Sequence, residues 1–433
     1  MAGHIPQSST PAGGPDRVTV YAWLVFALSF GLLISDYMAR QVLNAVFPLL
    51  KAEWSLSDAQ LGLLSGIVAI MVGVLTVPLS LAADRWGRVR SLTLMAILWS
   101  LATLLCAVAK DFGTMLIGRA LVGIGEAAYG SVGIAVVISV FPARLRATLS
   151  AAFMAGGSFG QILGVAIGGA IAASHGWRTA FAAIGIAGLV LGVLYPIIVR
   201  ERRIRALAGG PELASPAAVR IPLRALVGNR SVRLAYLASG LQLFAAGALP
   251  AWLPSYFNRY YHLPVDKAGS LAAVLLLVCA AGMILCGMLS DRIARERAEL
   301  KIALAIGYTL GTALCLTLAL LLPPGPPQLI LLGAAMFLVA GTVGPVGAMV
   351  ANLTPLAIHG SAFATLTLAN NLIGLAPGPI LTGRIADAIG LADAFRLLPV
   401  PCLLAGLTYA IMRRSYLADL AACRAQSAGQ ELT

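Results

Sequence analysis

Four ionisable side chains sit inside stretches that are otherwise apolar: Asp36 and Arg40 in one, Arg119 and Glu126 in another. A charge in the hydrocarbon layer of a bilayer costs at least a few kcal/mol, so such residues face a cavity, pair with one another and mark a working site. Of the 17 acidic residues, only Asp36 and Glu126 fall clearly within such a stretch. A carboxyl group held out of water is suited to carrying a proton. Gly123, Gly125, Ala127 and Ala128 around Glu126 leave a thin helix surface that another helix or a ligand can approach. Arg119 stands one heptad before Glu126, on nearly the same helix face and about 10 Å away along the axis. That gap suits a switch in which Arg119 pairs with a carboxylate in one state and with substrate in another. Asp36 and Arg40, at i and i+4, can pair within one helix. The four charges therefore read as two acid–base pairs, one on each helix, for proton coupling.

The elements that must hold these residues are membrane helices. The chain has 433 residues, 59% of them hydrophobic and 11% charged, where a soluble domain carries about 25% charged residues. Apolar runs of about the 20 residues that cross a bilayer recur along it. They predict twelve spans, near 18–46, 58–82, 91–109, 113–141, 147–173, 179–199, 231–257, 267–290, 300–322, 328–352, 361–386 and 395–412. Ser57-Asp58-Ala59-Gln60 reads as a capping box opening the second span, and Pro323-Pro324-Gly325-Pro326-Pro327 reads as a loop. The net charge of +13 would suit nucleic acid, but no basic recognition element interrupts the apolar pattern. About 21 of the 30 Lys and Arg residues fall instead on one side, in alternate short loops, the long central loop and the two ends. That bias predicts a multi-pass inner-membrane protein with both termini cytoplasmic.

The spans divide into two copies of one unit. Ser80-x-x-x-Asp84-Arg85 is echoed by Gly287-x-x-x-Asp291-Arg292, and Asp58-Ala-Gln-Leu-Gly by Asp266-Lys-Ala-Gly-Ser, at an offset of about 208 residues. The expected organisation is a disordered tail (1–17), a six-helix bundle (18–199), a cytoplasmic linker (200–230), a second six-helix bundle (231–412) and a cytoplasmic tail (413–433). The Arg-rich linker reads as a positive-inside segment, with anionic lipid headgroups as its alternative partner. Internal repeats of this kind place a transport site between the halves near the midplane.

Asp84-Arg85-Trp86-Gly87-Arg88-Val89-Arg90 resembles the signature loop of the major facilitator superfamily, with Ser80 where the leading Gly stands and Val89 at one basic position. The resemblance covers the whole chain. It implies an all-α membrane fold of twelve helices in two pseudo-symmetric bundles. Arg119-Ala-Leu-Val-Gly-Ile-Gly-Glu-Ala-Ala-Tyr is similar to a segment of the Spinster branch, and Asp36 and Ala251-Trp252-Leu253-Pro254 match further positions of that branch. Spinster-like proteins are associated with proton-coupled transport, in animals of lysolipids and sphingosine phosphate.

On this reading Asp84, Arg85, Gly87 and Arg88, with Asp291 and Arg292, form a cytoplasmic conformational gate that latches helix ends. Gly160, Gly164 and Gly168 resemble an antiporter motif whose Pro is Val165 here. The plainer reading is close helix packing, as for Gly378 beside Pro377 and Pro379. The second half offers polar and aromatic substrate contacts: Gln242, Phe244, Trp252, Tyr256, Asn370 and Asn371, alongside Arg119 and Glu126 in the first half. For Trp252 and the Tyr256–Tyr261 cluster the plainer reading is an interfacial aromatic belt.

The six cysteines have no framework spacing and read as core-filling residues. No metal, nucleotide or catalytic motif is present, so the chain is expected to be no enzyme and to need no cofactor beyond protons as coupling ion. The expected function is a monomeric, proton-coupled secondary active transporter, exporting an amphipathic compound such as a lysolipid or drug-like molecule by antiport. The alternatives are proton-coupled uptake of a small organic anion and, more distantly, a non-transporting receptor.

Overall fold

The computed structural model describes residues 18–207, 228–294, 299–355 and 358–430. The predicted N-terminal tail and the centre of the linker lie outside the described residues. Among the described residues, twelve helices are long and apolar enough to cross a membrane. They are α1 (Val20–Ala45), α2 (Asp58–Ala83), α3 (Arg88–Ala107), α4 (Phe112–Val140), α5 (Arg144–His175) and α6 (Trp177–Ile198) in the first half. The second half holds α7 (Arg230–Tyr260), α8 (Val265–Ile293), α9 (Glu299–Leu321), α10 (Pro326–Asn352), α11 (His359–Ile389) and α12 (Leu391–Cys423).

Each half is a bundle. In the first, α1 packs on α5, α3 on α6, and α4 on α2 and α3. In the second, α7 packs on α12 and α11, and α9 on α10 and α12. The bundles meet along two helix pairs, α2 with α11 and α5 with α8, joined by α1 against α7.

Local chemistry sets the ends. Ser57 and Gln60 make the reciprocal capping box expected at α2, with Ser57 Oγ accepting from the Gln60 amide at 3.1 Å and Gln60 Oε1 from the Ser57 amide at 3.0 Å. Asp111 caps α4 by accepting from the Thr114 amide at 2.8 Å. That amide holds the Asp111 carboxyl below the usual carboxylate range. Between α1 and α2 runs a short helix, Phe47–Trp54. Its Glu53 accepts from Trp177 Nε1 at 2.6 Å and from Arg178 at 2.8 Å, and the Trp177 bond first of all lowers the Glu53 carboxyl.

Small residues set the approach of the helices. A Cβ at Gly160 would lie 2.6 Å from the Ile34 carbonyl oxygen, one at Gly164 2.8 Å from Met38 Cα, and one at Gly168 2.8 Å from Val42 Cγ2. The glycine ladder of α5 is therefore the groove into which α1 fits. Gly378 plays the same part against the Phe244 carbonyl of α7.

Three spans are interrupted near their middles. Helix α4 breaks into Phe112–Glu126 and Tyr129–Val140, and α10 into Pro326–Val339 and Val343–Asn352. Helix α11 passes through a π-helical turn, Asn370–Leu375, before resuming at Pro377. The resumption is shaped by prolines, which cannot donate to the preceding turn.

Two expected boundaries move. Pro326 and Pro327 do not belong to the loop but open α10, at positions where a missing N–H costs nothing. The segment 413–433 is not simply a tail, because the last helix continues from Pro399 to Gln430. It does so because Tyr416 and Leu420 bury themselves in the second bundle, while Asp419 accepts from the Ser231 hydroxyl at 2.6 Å and its amide at 3.1 Å. The linker also begins as a helix, Glu201–Leu207.

If the α5 ladder sets the α1 approach, Gly160→Val lowers stability by about 1–3 kcal/mol through overpacking. Thermal unfolding in detergent is the measurement. Gly287→Ala, in open space, is the control that leaves the midpoint in place. Equal midpoints for both variants would show that the ladder is slack.

Candidate transport site and gate

The break in α4 falls directly after Glu126, and this local unwinding positions the cluster. Thr76 on α2 donates to the freed Ala127 carbonyl at 2.8 Å. Gly123 lies against α2, where a Cβ would stand 2.8 Å from Met71 Cβ, and Gly125 lies against the Trp99 backbone of α3. The thin surface around Glu126 is thus filled by two neighbouring helices.

The charges pair across helices and not along them. Arg40 of α1 reaches Glu126 of α4, Nη1 to Oε1 at 3.3 Å. Asp36 is 4% exposed, and its Oδ1 has no hydrogen-bond partner. Its carboxyl neighbours that of Glu126. The expected Asp36–Arg40 pair within α1 is therefore replaced, because Glu126 approaches the same guanidinium from outside the helix.

Arg119 departs further from expectation. It is fully buried, yet it forms no ion pair with Glu126. Nε donates to the Leu64 carbonyl at 3.3 Å, Nη1 to Ala39 at 2.8 Å and Nη2 to Arg40 at 2.9 Å. The guanidinium staples α4 to α1 and α2 through backbone oxygens. In this conformation it bonds to no carboxylate.

A second charged cluster joins the two halves at one end of the molecule. Asp58, at the start of α2, receives Arg259 of α7 in a bidentate pair, Nη1 to Oδ2 at 2.7 Å and Nη2 to Oδ1 at 2.6 Å. Lys51 of the short helix donates to the same carboxylate at 2.5 Å. Asp387 of α11 accepts from the amides of Asp58 and Ala59 at 2.7 and 2.8 Å, so it caps α2 from the other bundle. Below this latch Phe47 packs on Trp252 with centroids 5.1 Å apart, and Trp252 Nε1 donates to the Pro379 carbonyl at 3.1 Å. The sequence marked Asp58 as part of a capping box and of a repeat, not as a latch residue. Arg259 and Asp387 were missed because each lies far along the chain from Asp58, and Lys51 because it stands on a separate short helix whose packing the sequence does not reveal.

The signature loops occupy the opposite end. Gly87 takes φ +97°, a conformation suited to glycine, and links α2 to α3. Glu201 caps the start of α3 by accepting from the Val89 amide at 2.8 Å. Arg85 is exposed and Arg88 half-buried, while the Asp84 side chain lies outside the description. Asp291 is largely exposed, and its ion pair is with Lys301 of its own bundle at 3.8 Å. Arg292 is exposed. Among the described residues, no ion pair or hydrogen bond joins the two halves here. Among the described residues, the polar bonds between the halves gather at the Asp58 end.

The second-half candidates are packed inside it. Gln242 is fully buried, donating to the Val339 carbonyl at 3.0 Å and to Thr312 at 3.3 Å. Tyr256 is buried, accepts from Gln328 at 3.1 Å and stacks on Phe395 at 5.0 Å. Neither Trp252 nor Tyr256 belongs to an interfacial belt, because both are closed in by neighbouring helices. Asn371 donates to Thr367 at 2.9 Å on the π turn, and the carboxamide oxygens of Asn370 and Asn371 are buried without partners. Phe244 is half-buried.

Twelve spans in two bundles, with buried charges inside one bundle and a latch between the two, define a multi-pass membrane transporter. The model of the Major Facilitator Superfamily matches residues 29–372, and the chain belongs to that superfamily. It is 27% identical over 393 residues to an Escherichia coli protein described as "Probable L-galactonate transporter", covering 87% of this chain and 84% of that one. It is 26% identical over 383 residues to a sphingosine-1-phosphate transporter of Danio rerio, covering 84% and 75%. A solved bacterial homologue of the human lysosomal transporter Spinster, inward-facing and occupied, has a TM-score of 0.80 at 20% identity, with 93% of this chain and 99% of that one aligned. These proteins are transporters and not enzymes, and so is this chain.

If the Asp58–Arg259 pair holds the halves together, Asp58→Asn shifts the population toward the state open at that end by about tenfold, the worth of one charge-assisted hydrogen bond. Distances between spin labels at Lys110→Cys and Lys267→Cys, in opposite halves, report it. An unchanged distance distribution would reduce the latch to a surface contact.

Proposed function

We propose that the protein is a proton-coupled secondary transporter that exports an amphipathic small molecule by alternating access. The observation that carries this reading is the neighbouring Asp36 and Glu126 carboxyls, with one basic partner, Arg40, inside the first bundle. Two carboxyls beside one guanidinium leave room for one proton. Its arrival at Glu126 takes away the partner of Arg40. Arg40 stands on α1, whose end leads into the helix carrying Phe47 and Lys51. Phe47 packs on Trp252 and Lys51 bonds to Asp58, so a shift of α1 reaches the latch between the halves. Arg119 grips the carbonyls of Ala39 and Arg40 and makes that part of α1 move with α4. Proton and cargo then bias the same two states in opposite senses.

The Lys and Arg distribution supports an inner-membrane setting with the signature loops and both termini in the cytoplasm. On that assignment the latched end is external and the conformation opens inward. The chain acts as a monomer. The amphipathic cargo is supported by the Spinster-like segment at Arg119–Tyr129 and by the sphingosine-1-phosphate transporter among the relatives. A second reading, uptake of a small organic anion, is favoured by the L-galactonate transporter among the relatives and by Arg40, whose side chain is 20% exposed beside Glu126 and could receive a carboxylate.

Proteoliposomes under an imposed proton gradient test both readings, with a fluorescent lysolipid and radiolabelled L-galactonate as cargoes. Gradient-driven lysolipid movement is expected in the wild type. It falls by about a few tens-fold in Glu126→Gln, the drive of one proton at 100 mV, while exchange of cargo down its own gradient persists. Undiminished driven transport in the variant would remove Glu126 from coupling. Transport of L-galactonate alone would select the second reading.

A further inference from the structure

A cavity of 590 Å³ opens on the outside of the first bundle, between the start of α3 and the end of α6. Its wall carries Arg90, Arg200 and Arg202 around one carboxylate, Glu201. Glu201 is already engaged with the Val89 amide. All three arginines are exposed, and among the described residues none makes an ion pair. Trp86 and Leu94 line this cavity and also a smaller apolar one beside it, whose wall includes Leu79, Met95, Leu98 and Ile124. The mouth lies within a band of exposed apolar side chains: Trp86, Leu94, Val193 and Ile197 are each about half exposed or more. That band belongs against lipid. The main packing partners of α3 and α6 are in the first bundle, so the groove stands apart from the seam where the halves meet.

Three guanidinium groups above an apolar slot, opening sideways to hydrocarbon, fit a ligand with an anionic head and an apolar body that arrives from the bilayer. We propose that this groove binds an anionic phospholipid, its phosphate held by Arg90, Arg200 and Arg202 and an acyl chain lying along Trp86 and Leu94. The headgroup would rest beside Glu201 and Val89, where the linker caps α3 next to the signature loop. The site is separate from the charge cluster of α1 and α4, and its occupancy does not depend on what the transporter carries.

The test uses the full chain in phosphatidylcholine nanodiscs, titrated with phosphatidylglycerol bearing brominated chains, with tryptophan fluorescence as the readout. The Trp86→Phe variant supplies the background from the other tryptophans. Saturable quenching of Trp86 by the brominated phosphatidylglycerol is expected, with only shallow, non-saturating quenching by brominated phosphatidylcholine. In Arg90→Gln/Arg200→Gln/Arg202→Gln the half-saturation point rises by about tenfold or more, and Arg90→Gln alone moves it less but in the same direction. A monodisperse elution profile certifies the fold of each variant. Equal half-saturation for the two lipids, or none of the arginine variants shifting it, would overturn the proposal.

Discussion

A guanidinium surrounded by hydrocarbon must place its N–H groups on acceptors within the protein, because each one left bare forfeits a charge-assisted hydrogen bond. Arg119 meets this demand with the backbone carbonyls of Leu64, Ala39 and Arg40. That choice ties α4 to α1 and α2, and it removes one of the two mid-membrane bases from the reach of the carboxyls. Arg40 is left to face Glu126 with Asp36 alongside. Helix α4 can present Glu126 there because it breaks at the next residues, and it can approach α2 and α3 closely because Gly123 and Gly125 carry no side chain. Charge placement, helix break and glycine spacing are thus parts of one solution.

The same economy of contact governs the seam between the halves. An added Cβ at Gly62, Gly66 or Gly73 of α2 would strike α11, and one at Gly269 of α8 would lie 3.0 Å from the Val165 carbonyl of α5. Surfaces this smooth have few interlocking side chains and can slide or rock when the end contacts release. The ends then decide which state is held. At one end Asp58 collects Arg259 and Lys51 while Asp387 caps its helix. At the other, Asp291 keeps to its own bundle. The latch uses partly exposed cations, with 25% of Arg259 and 38% of Lys51 in contact with solvent. Solvent screening keeps such pairs weak enough to exchange.

Much of this was legible in the sequence, for physical reasons. Apolar run lengths fix spans because the bilayer fixes a thickness, and all twelve appear where the runs stand. The capping box at Ser57 and the glycine ladder of α5 are local signals with local outcomes. The charge pairs were not legible in the same way. Spacing at i and i+4 permits Asp36 to meet Arg40, but whether it does depends on what a different helix brings to that point, and Glu126 arrives there. Trp252 and Tyr256 failed for a related reason. Composition cannot separate an aromatic side chain at the membrane surface from one buried between helices, and here Phe47 and Phe395 cover them. The helical continuation past Met412 was hidden because its anchor, Asp419 on Ser231, joins residues far apart in the chain.

The two halves share an architecture but not a polarity, and the asymmetry bears on cargo. The first half gathers its buried charges around the break in α4. The corresponding interrupted span of the second half, α10, sits among neutral groups: Gln242 bonds to the Val339 carbonyl just before the interruption and to Thr312 of α9. Its remaining buried polar atoms without partners include the oxygens of Asn370, Asn371 and Gln242, which accept hydrogen bonds but carry no charge. A ligand held between the halves would therefore meet its charged partners on one side alone. An anion with charge at both ends would leave one end facing neutral oxygens, whereas a molecule with one ionic head and a neutral remainder suits both sides.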